Sequence, residues 1–268
     1  MIHISPKKRS LSQFLLQVWT QRRLLWLLSK RDWSIKYQQT PWGWAWAIAQ
    51  PLSLLAVFSL VFGQWVMPEK NDIPYPVFAL CGLAVWTCFQ YGLNQGAWAI
   101  WNQRELAKSI QGPAVLLIFS KICLALWEAG LVFLLWIISL SFHPQSFSFS
   151  LLLFPLLMAP VLLFSTGASL LFSAWSVKAK NIHHTLPLIA SLALWLSPVF
   201  YPTFLLPEKW SFIIWMNPIT SSVEGIRWAA GISTLNSKML WGWGLSFIIF
   251  LCGIHFYRKK ESALLDQL

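Results

Sequence analysis

Long apolar runs separated by short polar stretches fill most of the chain. A helix needs about 20 mostly apolar residues to cross the hydrocarbon core of a bilayer, and six runs approach or exceed that length. The pattern therefore predicts an all-α integral membrane protein with six transmembrane helices. The predicted spans are residues 43–66, 75–96, 114–140, 151–174, 184–202 and 239–257.

The N-terminal segment follows a different pattern, because apolar positions recur at helical spacing between polar ones over residues 11–29. Arg22 and Arg23 interrupt the segment, which argues against a span. An amphipathic helix in the membrane surface fits the pattern, with Trp19 and Trp26 at the level of the lipid headgroups. The alternative is a helix that packs against a partner protein.

Residues 203–238, just before the last span, fit neither a span nor a solvated loop. Residues 212–216 are continuously apolar, whereas Pro218, Glu224 and Arg227 argue against a seventh crossing. Irregular backbone at membrane depth is tolerated where protein or a water-filled cavity covers it. We therefore predict a re-entrant outer segment before the last span.

Composition leaves little material for a separate soluble domain, since 57% of the 268 residues are hydrophobic and only 11% are charged. Soluble domains carry about 25% charged residues. The chain is therefore interpreted as a single transmembrane domain. It comprises an N-terminal cytoplasmic or interfacial segment (1–36), a six-span bundle (37–257) and a cytoplasmic tail (258–268).

The net charge of +11 reflects the distribution of Lys and Arg between the two ends of the predicted spans. Sixteen of the 20 Lys and Arg residues lie in the N-terminal segment, in or beside the second and fourth loops between predicted spans, or in the tail. Basic loops stay on the cytoplasmic side. Both termini are therefore predicted to be cytoplasmic, in a multi-pass protein of the cytoplasmic (inner) membrane. No soluble basic face remains for nucleic acid.

The chain lacks the common motifs for nucleotide, dinucleotide or zinc binding. We expect no cofactor in this chain and no metal site. The nine acidic residues are scattered, and no two form a local pair on one predicted helix. This pattern disfavours a membrane-embedded enzyme, which stays an alternative, and no catalytic residue is assigned.

Glu128 stands out because it falls near the middle of the third predicted span. A charge at the bilayer centre costs about 2.5–3.5 kcal/mol on the insertion scale, so Glu128 should face the bundle interior. Lys121, seven residues earlier, lies on roughly the same helix face. Two interpretations stay open for Glu128: a pore or gating group, and a buried structural residue that is hydrogen-bonded or protonated.

Several segments in order resemble the permease subunits of ABC-type polysaccharide exporters. The first is RDWSIKYQQTPWGWAWAIAQPLSLLAVFSLVFG at Arg31–Gly63, the second is LSPVFYP at Leu196–Pro202, and the third is MNPITSSVEGIRWAA at Met216–Ala230. The tail FYRKKESALLDQL is also similar. One departure is the loop Val177–Ile182, which reads VKAKNI where that family often has an Arg-Asp pair. The matching positions in the first segment are Arg31, Asp32, Lys36, Tyr37, Gly43, Pro51, Val61, Phe62 and Gly63.

The resemblance implies a transport subunit that is not itself an enzyme. It implies a homodimer with two separate ATP-binding subunits, which would hold the ATP and Mg²⁺. It further implies export of a lipid-linked polysaccharide, such as O-antigen, capsule or teichoic acid, across the cytoplasmic membrane. The runner-up is a permease of the same architecture that exports drugs or other small molecules.

A stripe at the start of the first span suits a sugar substrate. Trp42, Trp46, Gln50 and Ser53 share one helical face with mixed aromatic and polar character. Sugars present apolar C–H faces and hydroxyl edges, which match such a stripe. We predict that these residues and Glu128 belong to the substrate path. The alternative for each tryptophan is an interfacial aromatic belt.

Two further groups of residues are candidate functional sites. Arg104, Glu105 and Lys108 lie at helical spacing in a charged loop and are predicted to couple to the ATPase, together with Arg31 and Asp32. In the outer segment, Glu224 and Arg227 lie three residues apart and can pair on one helix face. They are predicted to form an outer gate, and Asn217 of the third similar segment is assigned to the same gate.

Overall fold

The computed structural model describes residues 11–38, 42–43, 45–63, 74–110, 112–142, 149–176 and 182–267. Over these ranges the secondary structure is helical, with no strand. Residues 64–66 of the first predicted span, and residues 177–181 of the loop that departs from the resemblance, lie outside the described residues.

Thirteen α-helices are found in the described ranges. They are α1 (Leu11–Thr20), α2 (Arg22–Gln38), α3 (Ala45–Phe62), α4 (Tyr75–Gly96), α5 (Ala99–Asn102), α6 (Arg104–Ser109), α7 (Val115–Ser141), α8 (Phe154–Leu157), α9 (Ala159–Ser176), α10 (Ile182–Leu196), α11 (Ser211–Met216), α12 (Pro218–Ala229) and α13 (Met239–Asp266). Short 3₁₀ helices occupy Phe149–Leu153, Thr203–Leu205 and Glu208–Trp210.

Among the described residues, five helical segments are long and apolar enough to cross a membrane. They are α3, α4, α7, α13 and the segment Phe149–Ser176, in which a 3₁₀ helix, α8 and α9 follow one another. The fifth predicted span, 184–202, coincides with the shorter apolar helix α10, which contains Pro187 and ends at Leu196. The chain is therefore an all-helical, multi-pass membrane protein.

The N-terminal segment forms two helices, and both pack on the bundle. Phe14 of α1 and Leu28 of α2 are buried in one cluster with the first turn of α7 and the last turns of α13. The N-terminal helices and the C-terminal end of α13 therefore lie at the same end of the bundle. Helix α2 continues through residue 36 to Gln38, and α13 continues past residue 257 to Asp266 without a break.

Helix α4 is the centre of the bundle, in contact with α3, α7, α9, α10 and α12. In its most apolar window, 78% of the residues are buried, compared with 22% for α3. The outer segment covers one side of α4, because α12 packs against α4, α9 and α13. The described part of the chain therefore leaves most of the surface of α3 uncovered.

Small residues let the central helices approach closely, as is common in membranes. Gly92 and Gly96 of α4 face Ser165 and Ser169 of α9, and the Ser169 hydroxyl donates a hydrogen bond to the Gly92 carbonyl at 3.0 Å. On the other side of α9, Gly167 contacts α13, where a Cβ would come within 2.6 Å of the Phe250 Cα. The Gly167 contact brings the backbones of α9 and α13 together.

This geometry predicts opposite effects for the same substitution at two glycines. Gly167→Ala should destabilise the protein by about 1–3 kcal/mol through overpacking against the α13 backbone. Gly244→Ala is the matched control, since a Cβ there meets no atom within 4 Å and alanine favours a helix by about 1 kcal/mol. Thermal unfolding in detergent compares the two variants. Equal melting temperatures would contradict the close α9–α13 contact.

Candidate functional site

A polar cavity of about 220 Å³ lies between α3, α4 and α7. It is unusual in this bundle because its walls carry many polar side chains, which are costly at membrane depth and are commonly functional there. Two predicted path residues, Gln50 and Glu128, border it. The polar lining residues are Lys36, Gln50, Thr87, Gln90, Tyr91, Asn94, Gln95 and Glu128, and the remaining ones are Ala47, Pro51, Leu54, Leu83 and Trp86.

One lining residue carries a buried acceptor for which the described chain offers no hydrogen-bond partner. The Asn94 Oδ1 atom is buried, and no hydrogen-bond partner for it occurs in the described ranges. Pro51 lies inside α3 and has no N–H to donate to the Ala47 carbonyl. The polar side chains of the lining can donate hydrogen bonds to a polar ligand and accept them from it.

Glu128 is held at the edge of this cavity by residues of α2. The Lys36 Nζ atom donates to the Glu128 Oε1 atom at 2.5 Å, and the Tyr37 hydroxyl donates to the same oxygen. Lys36 also lies 4.2 Å from the centre of the Tyr91 ring. Glu128 is thus buried and paired, and it lies on the cavity wall as well. Burial and the Glu128 carboxylate both raise the pKa of Tyr37.

A second polar network joins α2 to α7 through Asp32, which is 4% exposed. Its carboxylate accepts hydrogen bonds from Arg31 at 2.7 Å, from Lys121 at 2.8 Å and from Ser120 at 3.0 Å. Lys121 and Glu128 therefore share the face of α7 that contacts α2. Burial raises the pKa of Asp32, but the hydrogen bonds from Lys121 and Arg31 outweigh it and hold that pKa below its ordinary value.

Gln103 extends this network to the segment that carries the predicted coupling residues. Its Nε2 atom donates to Asp32 at 3.2 Å, and its Oε1 atom accepts from Arg31 at 2.6 Å. Gln103 immediately precedes α6, on which Arg104, Glu105 and Lys108 are exposed. Buried Asp32 holds this segment in position through its contact with Gln103. The exposed side chains of α6 form a surface that is open to a partner.

The predicted outer-gate residues come together in a buried cluster. Arg227 is fully buried and donates to Glu224 at 2.9 Å, to the Pro198 carbonyl at 2.7 Å and to the Val199 carbonyl at 2.8 Å. Its guanidinium also stacks 3.5 Å from the centre of the Phe78 ring. The cluster therefore fastens α12 to α4 and to the backbone that follows α10.

Asn217 has a separate role in the same region. Its Oδ1 atom accepts from the Ile219 N–H at 3.0 Å, which caps the start of α12. Its Nδ2 atom donates to the Ser197 hydroxyl at 2.9 Å, so the cap also contacts the end of α10.

The predicted aromatic stripe lies on the uncovered side of α3. Trp42 and Trp46 are 72% and 60% exposed, and Gln50 and Ser53 are exposed as well. Of these four, only Gln50 borders the polar cavity. Within the described ranges, no three His, Cys, Asp or Glu side chains are grouped closely enough to hold a metal ion.

Sequence reasoning missed several partners in these sites. Lys36 and Tyr37 were noted as positions of similarity, but their contact with Glu128 was not predicted, because it joins residues more than 90 positions apart. Gln103 and Ser120 gave no signal of their own. The polar residues of α4 could have been found by their spacing, since Gln90, Tyr91, Asn94 and Gln95 cluster within the second half of an otherwise apolar span.

The fold and the buried polar sites define a multi-pass membrane protein with a polar cavity inside a helical bundle. Comparison with known families gives the particular class: the model of the ABC-2 type transporter family matches residues 23–230. The chain belongs to this family, whose members are the membrane-spanning permease subunits of ABC transporters.

Curated relatives of modest identity cover most of the chain. An O-antigen export system permease protein from Klebsiella pneumoniae is 25% identical over 247 residues, which is 89% of this chain and 92% of the relative. A second such permease, from Myxococcus xanthus, is 25% identical over 76% of this chain and 79% of its own. A polysialic acid transport protein from Escherichia coli is 25% identical over 84% of this chain and 88% of its own.

The Arg227 cluster predicts a large loss of stability when the guanidinium is removed. Arg227→Met leaves Glu224 buried without its partner, so we expect about 3–5 kcal/mol of destabilisation. Adding Glu224→Gln should recover part of the loss, because no unpaired charge then remains. Lys209→Met, at an exposed site, is the control. Chemical unfolding in detergent measures all four proteins. A loss no larger than that of the control would contradict the fastening role.

The Asp32 network predicts a pH-dependent term in stability. Since the folded-state pKa of Asp32 is lowered, its stabilisation is complete at neutral pH and declines as the pH falls through that pKa. Asp32→Asn should cost about 3 kcal/mol at neutral pH by leaving partly buried Lys121 unpaired, and the cost should shrink in acid. Unfolding curves between about pH 7 and pH 3 test this. Glu105→Gln, at an exposed position, should show no comparable pH dependence.

Proposed function

We propose that this chain is the membrane-spanning subunit of an ATP-driven exporter that moves a lipid-linked polysaccharide across the cytoplasmic membrane. The observation that carries the proposal is the polar cavity between α3, α4 and α7, in a chain whose relatives are named for export of O-antigen and transport of polysialic acid.

The chemistry of the cavity favours a saccharide over a small apolar molecule. Amide side chains of Gln50, Gln90 and Asn94 can both donate to and accept from sugar hydroxyls. Trp86 and Tyr91 add aromatic surface against which an apolar sugar face can lie. Pockets for drug-like ligands are mostly apolar, with only a few polar groups.

A cavity of this size cannot enclose a polymer, so it would contact one sugar unit at a time as the chain passes. The exposed stripe of Trp42 and Trp46 on α3 extends the proposed path. Aromatic faces suit a sliding polymer because stacking does not require one fixed hydrogen-bond register. Glu128 acts at the cavity wall, where its charge is balanced by Lys36.

We infer a homodimer in which the uncovered faces of two α3 helices line the path. Two ATP-binding subunits would contact the exposed side chains of α6, namely Arg104, Glu105 and Lys108. Arg31 and Asp32 would hold α6 in position through Gln103. ATP and Mg²⁺ belong to those partner subunits, and the role of this chain is transport.

The proposed topology has six crossings, with α10 as the fifth. Helices α11 and α12 then form the re-entrant outer segment, locked by Arg227, Glu224 and Asn217. With an even number of crossings, both termini lie on one side. The excess of Lys and Arg beside that side favours the cytoplasm.

An export assay with the cognate ATP-binding subunit tests the substrate class. Asn94→Leu removes one amide from the cavity, and we expect export to slow roughly fivefold, which corresponds to one hydrogen bond of about 1 kcal/mol. Gln267→Leu replaces an exposed amide outside the cavity and should leave export unchanged. Surface polysaccharide is measured at equal protein levels. Equal export by both variants would count against the cavity as part of the path.

A further inference from the structure

A second groove lies between α2 and α7, on a different side of α7 from the polar cavity. Its volume is about 600 Å³, and its walls are almost entirely apolar. Helix α2 contributes Leu25 and Trp26, and α7 contributes Trp127, Phe133 and Leu134. Neither the path nor the coupling surface described above uses this groove.

The length of the groove matches one leaflet of a bilayer. Along α7 the lining runs from Cys123 to Leu134, which is about 16 Å at a rise of 1.5 Å per residue. One leaflet accounts for half of a hydrocarbon core about 30 Å thick. Gly130 leaves the wall open midway, since a Cβ there would meet no atom within 4 Å. The groove can therefore receive a single extended hydrocarbon chain.

The charge at the groove favours an anionic headgroup. Arg22, in the first turn of α2, is exposed and borders the groove, and Arg23 beside it is also exposed. The residues that line the groove include no Asp or Glu. A guanidinium next to an apolar groove fits a lipid phosphate, which accepts bidentate hydrogen bonds from arginine.

We propose that this groove binds one anionic membrane phospholipid, with an acyl chain along α7 and its phosphate at Arg22. The lipid bridges the two helices that Asp32 and Lys121 also join. It therefore supports the position of α2, and through Gln103 the position of α6. The inference does not depend on which substrate the transporter carries.

The test compares two glycine-to-phenylalanine variants at open sites. Gly130→Phe fills the groove, whereas Gly244→Phe places the same ring on an exposed face of α13. Proteins are reconstituted in vesicles of equal phosphatidylglycerol and phosphatidylcholine, and co-purifying lipid is counted by native mass spectrometry. We expect wild type and Gly244→Phe to retain one phosphatidylglycerol per chain. Gly130→Phe should retain roughly tenfold less, because the buried acyl chain loses its apolar contact.

A third variant tests the headgroup without touching the groove walls of α7. Arg22→Gln removes an exposed charge, so the fold is expected to remain, and melting temperatures check this for all variants. Retention of phosphatidylglycerol should fall to about the level of phosphatidylcholine, since electrostatic attraction to the anionic headgroup is lost.

Three outcomes would overturn the proposal. The first is full phosphatidylglycerol retention by a folded Gly130→Phe variant. The second is equal retention of the two lipids by wild type, which would remove the role of Arg22. The third is a dimer that dissociates in Gly130→Phe while lipid retention is unchanged, which would assign the groove to a second copy of the chain.

Discussion

A charged group that is buried away from water needs ionic and hydrogen-bonding partners inside the protein, and Arg227 meets this requirement with groups from several parts of the chain. Its guanidinium has no exposed surface and donates hydrogen bonds to the Glu224 carboxylate and to two backbone carbonyls that follow α10. Those carbonyls lie just past a helix end, where backbone acceptors lack helical donors. One side chain thus donates hydrogen bonds to the carbonyls that follow α10 and fixes α12 against α4.

The same constraint organises the opposite end of the bundle. Asp32 and Glu128 are both buried, and each is paired with a lysine across the α2–α7 contact. Because a buried carboxylate without a partner is strongly destabilising, these pairs hold the N-terminal helices on the bundle. They also place a lysine and a carboxylate beside the polar cavity. Structural pairing and the chemistry of the proposed path therefore rest on the same residues.

Hydropathy predicted the long helices well, since each of the five long apolar segments overlaps a predicted span. The pairing of Glu224 with Arg227 could be predicted from the sequence because both lie on one helix, three residues apart. The Asp32–Lys121 and Lys36–Glu128 pairs could not be predicted from the sequence, because they depend on how α2 crosses α7. The length of α10 was overestimated, since the apolar composition continues past Leu196 although the helix ends there. Local periodicity within α2 or α7 contains no information about how these two helices cross.

The contact between Gly167 and α13 has a mechanical consequence. A seam of backbone against backbone contains no side chain that could change rotamer to accommodate sliding, so we expect α9 and α13 to move as one rigid body. Ser169 and Gly92 join α4 to the same body through a short side-chain bond. Among the described residues, helix α3 forms no such seam with the other helices, and it contains Pro51, whose missing N–H makes a helix easier to bend. We therefore expect α3 to tilt more readily than the block that α4, α9 and α13 form.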